Sequence, residues 1–478
     1  MIYLTLTDRI DEFLAGHKSE IIQDLKNLIQ IPSVKEAAVP GAPNGVPCAM
    51  ALNASAKLFQ RMSMKTKIFE NSGYALAEFG QGDKTIGLFS HCDVVPAGGG
   101  WIYTDPFVPI EKNGFIVGRG AEDNKSGVIA SVYAVKAIQE LGLSLNSKLA
   151  VFVGSDEESG MGDAGAFVRE QNMPDVSIVP DNSFPVYVGE KGTMRFFAQC
   201  GDLFQQVRSV SGGSAFNVVL DEVSVTITQT DALQKELTER AEQNERIQIK
   251  QSGNDLILAA MGVSKHASAP EGSENALFCA ANFLKSCSEL PQADRNIFSS
   301  VAELLKGFYG EPFGIEHQDK NFGRLTCANG IAKMDNGRLA LSFDIRYGTE
   351  ADGKFIIDEI NRVLTSKSWS MTELENRAGF NNDAEKEVVN ALLSAYQTAS
   401  GDNGAKPHYS AGATYAAHLK NAFSVGTCAP YKFKISETLP QGHGGIHQKD
   451  EMLHIEGFLE GIKILILMIL NADKAIHK

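Results

Sequence analysis

The chain has 478 residues, too many for one ordinary core, so two or three domains are expected. Its 44 Lys plus Arg stand against 58 Asp plus Glu, and the net charge of −14 disfavours nucleic acid or an anionic membrane as partner. Seven scattered cysteines, an odd count with no C-x-x-C pair, argue against a disulfide framework or a thiolate zinc site and fit a reducing cytoplasm.

The N-terminal stretch meets Asp8, Arg9 and Asp11 before any apolar run develops and carries no cleavage signal. Helical periodicity covers 8–30 and 49–63. Apolar strands then alternate with helices: Thr85–Ser90, a helix near 126–141, Leu149–Gly154, a helix near 163–171, and Val176–Pro180. That alternation predicts an α/β layer around a largely parallel sheet, in which function collects beyond the strand ends. From about residue 191 the texture changes to long alternating strands, Met194–Cys200, Ser214–Thr228, Arg246–Met261 and Leu339–Arg346, with helices near 272–287 and 351–365. This reads as a separate α+β unit. A helical and then β-like pattern resumes after about 383, so the expected organisation is a catalytic domain in two parts, 1–190 and 383–478, interrupted by an inserted domain, 191–382. The most apolar stretch, ILILMIL at 464–470, is far short of a membrane span and reads as a buried C-terminal helix.

Chemistry-bearing residues follow each strand of the first domain. Thr85–Ser90 runs into His91 and Asp93, Leu149–Gly154 into Asp156, Glu157 and Glu158, and Val176–Pro180 into Asp181, while GRGAEDNK (118–125) brings Asp123 to the start of a helix. An isolated acidic triplet is usually a solvated turn. Four connections delivering carboxylate or imidazole to one sheet edge make coincidence a poor explanation, because crowded like charges repel unless a cation sits among them. Imidazole plus carboxylate without thiolate suits zinc and also permits manganese or cobalt. So many carboxylates are too anionic for one structural zinc, and two ions sharing a bridging carboxylate fit the charge better. A second imidazole is then needed, and His447 in GGIHQKDE (444–451) offers one.

HCDVVPAGGGW (91–101), GRGAEDNKSG (118–127), SDEESG (155–160), DNSFPVYVGEKG from Asp181, KHASAPEGSENA (265–276) and GGIHQKDE together resemble the metallopeptidase family of aminoacylase, carboxypeptidase G and dipeptidase V, most closely the dipeptidase V branch. The resemblance implies a di-metal catalytic domain with a central mixed sheet flanked by helices, plus an inserted α+β lid domain. It implies that His91 and Asp181 bind one ion, that Glu158 and His447 bind the other, and that Asp123 bridges them. Asp93 would hold the His91 ring in its ligating tautomer, and Glu157 would be the general base acting on a metal-bridging water. Adjacent residues on extended backbone point oppositely, which would separate the two glutamates. In the inserted domain, His266 would stabilise the oxyanion, Arg346 would pair with the substrate's terminal carboxylate, and Asn217 would be a polar substrate contact. Asp156 is read as a hydrogen-bonding support and His443 is left unassigned. The other histidines are read as core or surface residues.

The implied activity is hydrolysis of the amide bond of dipeptides, with two divalent ions per chain, Zn2+ or alternatively Mn2+ or Co2+. A small peptide would be the only partner, with no nucleic acid and no membrane. An enlarged lid implies a monomer, and a cis peptide is implied between Asp123 and Asn124. Two departures from relatives stand out, the missing glycine and arginine in Ala411–Ala416 and Gly99 in place of Asp. An N-acyl amino acid amidohydrolase of the same family is the nearest rival reading, and a non-catalytic metal-binding protein is the rival from another class. Phosphate binding at 97–100 lacks the P-loop Lys and Ser/Thr.

Overall fold

Thr5 and Asp8 close a capping box, each side chain accepting the other's backbone N–H, and the first helix runs from there over Leu6–Ile29. The computed structural model describes residues 4–213, 215–429, 439–440 and 442–478. The chain divides into two units, one of Met1–Gly189, Asn382–His408 and Thr414–Lys478, the other of Glu190–Asn381 and Tyr409–Ala413.

The first unit is built on a mixed sheet. Six of its neighbouring strands run in the order Lys65–Phe69, Tyr74–Phe79, Lys148–Gly154, Thr85–His91, Val176–Asn182, Ala422–Gly426. The last four pair in parallel, and the first two join antiparallel at one side. Parallel strands covered on both faces read as continuous apolar runs, as in LAVFV at 149–153, all buried except for a trace of Ala150. The register sets His91 opposite Gly154, so the histidine strand and the strand leading to the acidic triplet end level. Helix Lys125–Glu140 packs beside them, and Gly127 permits its close approach because a Cβ there would overlap the Asn124 side chain and the Pro180 carbonyl. The helix Ile455–Ile476 is buried along most of its length, as its sequence suggested. No helix among the described residues is long and apolar enough to cross a membrane.

The second unit is an α+β layer on an antiparallel sheet, in the order Ile247–Ser252, Asp255–Met261, Glu222–Thr228, Val207–Gly212, Ala332–Asp335, Arg338–Tyr347, Gly192–Cys200, Trp369–Arg377, with Thr326–Ala328 also paired to Arg338–Tyr347. Two strand expectations are corrected here. Arg246–Met261 is a hairpin turning at Gly253, whose φ of +59° lies in the left-handed region that glycine adopts at no steric cost. The stretch 214–228 is a strand only over Glu222–Thr228, and Ser214 lies outside the described residues. Helices Asp231–Ala241 and Gln292–Leu304, which the sequence reading had not singled out, contribute Leu233, Leu237, Ile297, Phe298 and Val301 to the core beneath this sheet.

Candidate metal centre

The first unit gathers six of the residues singled out in the sequence. His91 ends its strand fully buried, with Nε2 3.0 Å from Asp123 Oδ1, 3.6 Å from Asp181 Oδ1 and 4.0 Å from Glu157 Oε2. His447 Nε2 lies 3.0 Å from Asp123 Oδ2 and 3.1 Å from Glu158 Oε1. Asp123 therefore gives one oxygen to each imidazole. The peptide from Asp123 to Asn124 is cis, as is Phe184–Pro185. Two donor groups result, His91 with Glu157 and Asp181, and His91 with Asp123 and Glu158.

The donor set fits divalent cations in chemistry and spacing. Atoms each about 2.0–2.2 Å from one tetrahedral ion lie roughly 3.3–3.6 Å apart, close to the separations found here. The charges point the same way. Burial, then the charge of Asp181, pushes the Glu157 carboxyl well above the usual range. Burial and Asp123 push Glu158 up to about 7, and burial pushes Asp181 up to about 6 against the pull of His91. Burial opposes the protonated form of His91, yet Asp181, Asp123 and Asp93 hold its pKa well above normal. Desolvated carboxylates that hold on to protons beside cationic imidazoles are short of positive charge, which divalent ions would supply.

Neighbouring groups fix these side chains. Asp93 accepts the backbone N–H of Glu157 on one oxygen and that of Glu158 on the other, each at 3.2 Å. Its expected grip on His91 differs in detail: Nδ1 is 3.0 Å from the Asp93 main-chain carbonyl and 3.5 Å from the carboxylate. The glutamate pair also departs from the expected extended backbone. Glu157–Ser159 is a 3-10 turn, in which successive side chains diverge by about 120°. That turn, and not a strand pleat, sends Glu157 toward Asp181 and Glu158 toward Asp123.

Asp156 is a support, pairing with Lys35 at 2.5 Å and accepting Gly162 N–H at 3.1 Å. His443 pairs with Asp450 at 2.5 Å, and Asp450 in turn accepts the N–H groups of Ile102 and Tyr103.

Sequence reasoning missed three supporting residues. Asp163 accepts Ser155 N–H at 2.6 Å, Asp156 N–H at 2.9 Å and the Tyr415 hydroxyl at 2.6 Å, which anchors the turn before the glutamates. Gly154 leaves the room for this, since a Cβ there would overlap Tyr415 and Asp163. Glu451 accepts from Arg119, Gly120, Glu122 and Asp123. Glu451 carried a signal in its place in the GGIHQKDE stretch and Tyr415 lies in the Ala411–Ala416 stretch that departs from relatives, whereas Asp163 lies in sequence with no distinguishing pattern.

His266, Asn217 and Arg346 fall in the second unit. His266 is exposed, with Nδ1 accepting from the Ser268 hydroxyl at 2.6 Å and Ser268 N–H at 3.2 Å, which leaves Nε2 as the N–H. Asn217 adjoins it, its carbonyl accepting Ala267 N–H at 2.8 Å. Arg346 is buried and forked onto Asp344, through Nε at 2.6 Å and Nη2 at 3.0 Å. A third His/Asp/Glu group, His317, Asp319 and Glu350, serves as a loop clasp: Asp319 accepts the N–H groups of Asn321, Phe322 and Glu350.

Similarity to known proteins agrees with this architecture. A Staphylococcus saprophyticus protein named "Putative dipeptidase" is 28% identical over 470 residues, covering 93% of this chain and 94% of its own length. The Bacillus subtilis "Putative dipeptidase YtjP" is 28% identical over 460 residues, covering 92% of this chain and 95% of its own. Among solved structures, human carnosine dipeptidase 1 superposes with a TM-score of 0.61 at 17% identity over 98% of this chain and 100% of its own. The Saccharomyces cerevisiae di-peptidase Dug1p gives 0.60 at 14% identity over 98% of this chain and 99% of its own. At such identities these two structures attest the fold. The profile described as Peptidase family M20/M25/M40 matches residues 87–471, and the chain belongs to that family, as the resemblance of its motifs implied.

Proposed function

We propose that the protein is a dipeptidase that hydrolyses amide bonds with two divalent ions, held by His91 and Asp181, by Glu158 and His447, and bridged by Asp123. The observation that carries this reading is the Asp123 carboxylate, 3.0 Å from an imidazole on each side. The names of the similar bacterial proteins support a dipeptide as substrate.

Divalent ions bound there would supply the charge that acidifies water and polarises an amide carbonyl. Glu157, in its ionised form, is the general base: its carboxylate, given a high proton affinity by burial and by Asp181, takes a proton from the attacking water and delivers it to the departing amine nitrogen. Asp93 orients Glu157 and Glu158 through their backbone N–H groups. His266, with its hydrogen on Nε2, donates to the developing oxyanion. Arg346 pairs with the terminal carboxylate and Asn217 makes a polar contact to the substrate. In this reading residues 191–382 form the inserted lid domain, interrupting catalytic segments 1–190 and 383–478. The ions are zinc, with manganese or cobalt as alternatives, and the protein works as a cytoplasmic monomer.

A substrate panel tests the proposal. Metal-stripped protein is given zinc, manganese or cobalt and then offered dipeptides, tripeptides and N-acetyl amino acids. Metal-dependent turnover of dipeptides is the expected result. Turnover of N-acetyl amino acids alone would assign the site to an amidohydrolase instead, and metal binding with no turnover of any compound would make it a binding site.

A further inference from the structure

In the second unit, strand register lines up four polar side chains. Arg377 stands opposite Thr193, Thr193 opposite Arg346, and Arg346 opposite Thr326. Directly opposed residues of antiparallel strands project from the same face, so Arg377, Thr193, Arg346 and Thr326 form one row across four strands.

On Thr193, Thr326 and Arg346 the hydrogen bonds within this row leave donors over. The Thr193 hydroxyl accepts from Arg346 Nη1 at 3.1 Å and from Arg377 Nη2 at 3.2 Å. With both lone pairs facing guanidinium groups, its own hydrogen is left to donate, and it meets no acceptor among the described residues. The Thr326 hydroxyl is buried with no partner among the described residues, on a residue only 3% exposed. Arg346, 4% exposed, spends two N–H groups on Asp344 and one on Thr193, so two of its five remain.

Negative charge nearby is already committed. Asp344 is shared between Arg346 and Arg195, whose Nε lies 2.9 Å away, and Glu190 is 3.9 Å from Arg377. Two residues before Thr193, the buried Lys191 donates to the Arg324 carbonyl at 2.6 Å.

Buried polar groups are nearly always hydrogen-bonded, and an unpaired one costs free energy. Here the unfilled groups are donors, or a hydroxyl able to donate, so the missing partner is an acceptor with several lone pairs. A carboxylate meets that description and suits the planar guanidinium fork. A terminal-carboxylate role for Arg346 is part of the family resemblance, whereas Thr193, Thr326 and Arg377 belong to none of the matching motifs. We propose that Thr193, Thr326 and Arg377 complete a carboxylate cradle around Arg346, so that the free C-terminus of the peptide is gripped by two guanidinium groups and two hydroxyls. The inference rests on the peptidase reading above for the identity of the carboxylate.

Thr326→Val gives the sharpest test, because it keeps the side-chain shape and removes a hydroxyl that has no partner among the described residues. If that hydroxyl had no ligand, its loss would leave stability equal or higher and kinetics unchanged. The probes are Ala-Leu and its C-terminal amide. In Thr326→Val and Arg377→Met, KM for Ala-Leu should rise about ten-fold or more, the scale of a lost hydrogen bond to a charged group. kcat should stay within about two-fold, and the amide should respond by less than about two-fold, since only binding of the carboxylate is weakened. Unchanged KM in both variants overturns the cradle. If the wild-type protein hydrolyses neither compound, the peptidase reading is what fails, and calorimetry still reads the cradle: tighter binding of Ala-Leu than of its amide, lost in Thr326→Val, supports it. Equal binding of the two compounds, or binding of neither, overturns it.

Discussion

Glu451 accepts the backbone N–H of Asp123 at 3.1 Å, with the same oxygen that takes Glu122 N–H at 2.9 Å. Its other oxygen holds Arg119 at 2.6 Å and Gly120 N–H at 3.1 Å. One carboxylate from the loop after His447 thus ties down the turn that carries Asp123. Glu451→Gln would put an amide N–H among these donors and leave Arg119, 1% exposed, without its counter-charge. Breaking a buried pair from one side costs about 3–5 kcal/mol, to be read from chemical denaturation. Loss of a residue that orients a ligand weakens metal affinity by roughly 10–100-fold, measurable by competition with a chelator. Wild-type values for both would show that Asp123 is placed without Glu451.

The neighbouring glutamates should fail in different ways. Glu157→Gln keeps size and polarity but cannot accept the proton, so metal content should persist while turnover falls by roughly 10²–10⁴-fold. Glu158→Gln weakens one ion site, and excess metal in the assay should restore part of its activity. Elemental analysis beside kinetics separates the two. Metal loss in Glu157→Gln together with full occupancy in Glu158→Gln would reverse the assignment and make Glu157 the ligand beside His91 and Asp181.

The metal-free protein should lose stability as pH rises from about 4 to about 8. Burial is the leading cause that lifts Asp181 to about 6, Glu158 and Asp163 to about 7 and Glu122 to about 8, against ordinary values of 3.8 for Asp and 4.5 for Glu. Each group binds its proton more tightly in the folded chain. Its contribution is therefore full below the unfolded pKa and disappears as pH climbs through the folded one. The raised pKa of His91 and His447 acts in the same direction at higher pH. Urea midpoints measured in chelator across this range should fall, and added zinc, manganese or cobalt should flatten the trend by displacing the same protons. A midpoint that climbs with pH in chelator would contradict this.

Light scattering should find an active monomer. If the protein is instead an obligate dimer, and inactive His266→Ala and Glu157→Gln chains regain activity when mixed, His266 serves the partner's site and the monomer proposal is wrong.

Much of the first unit was legible because its signals are local. Buried parallel strands read as continuous apolar runs, and at the ends of three of them stand His91, the last residue of its strand, Asp181, the last but one of its own, and Glu157 and Glu158, in the turn that follows Gly154. The second unit was harder. Strands facing solvent on one side carry the same alternation through a hairpin turn, so 246–261 read as one strand until Gly253 turned it back.

The residue types and their order along the chain, by themselves, determined the family, the α/β plan and the stock of imidazole and carboxylate donors. Tertiary structure decided how those donors are aimed. Asp93 serves the N–H groups of two glutamates more than the histidine ring, Asp163 and Tyr415 anchor the acidic turn across 252 residues of sequence, and Glu451 reaches Asp123 across 328. The acceptors in these contacts answer mainly to backbone N–H groups, which every residue except proline carries alike. No pattern of side chains along the chain can announce such a bond before folding brings the two segments together.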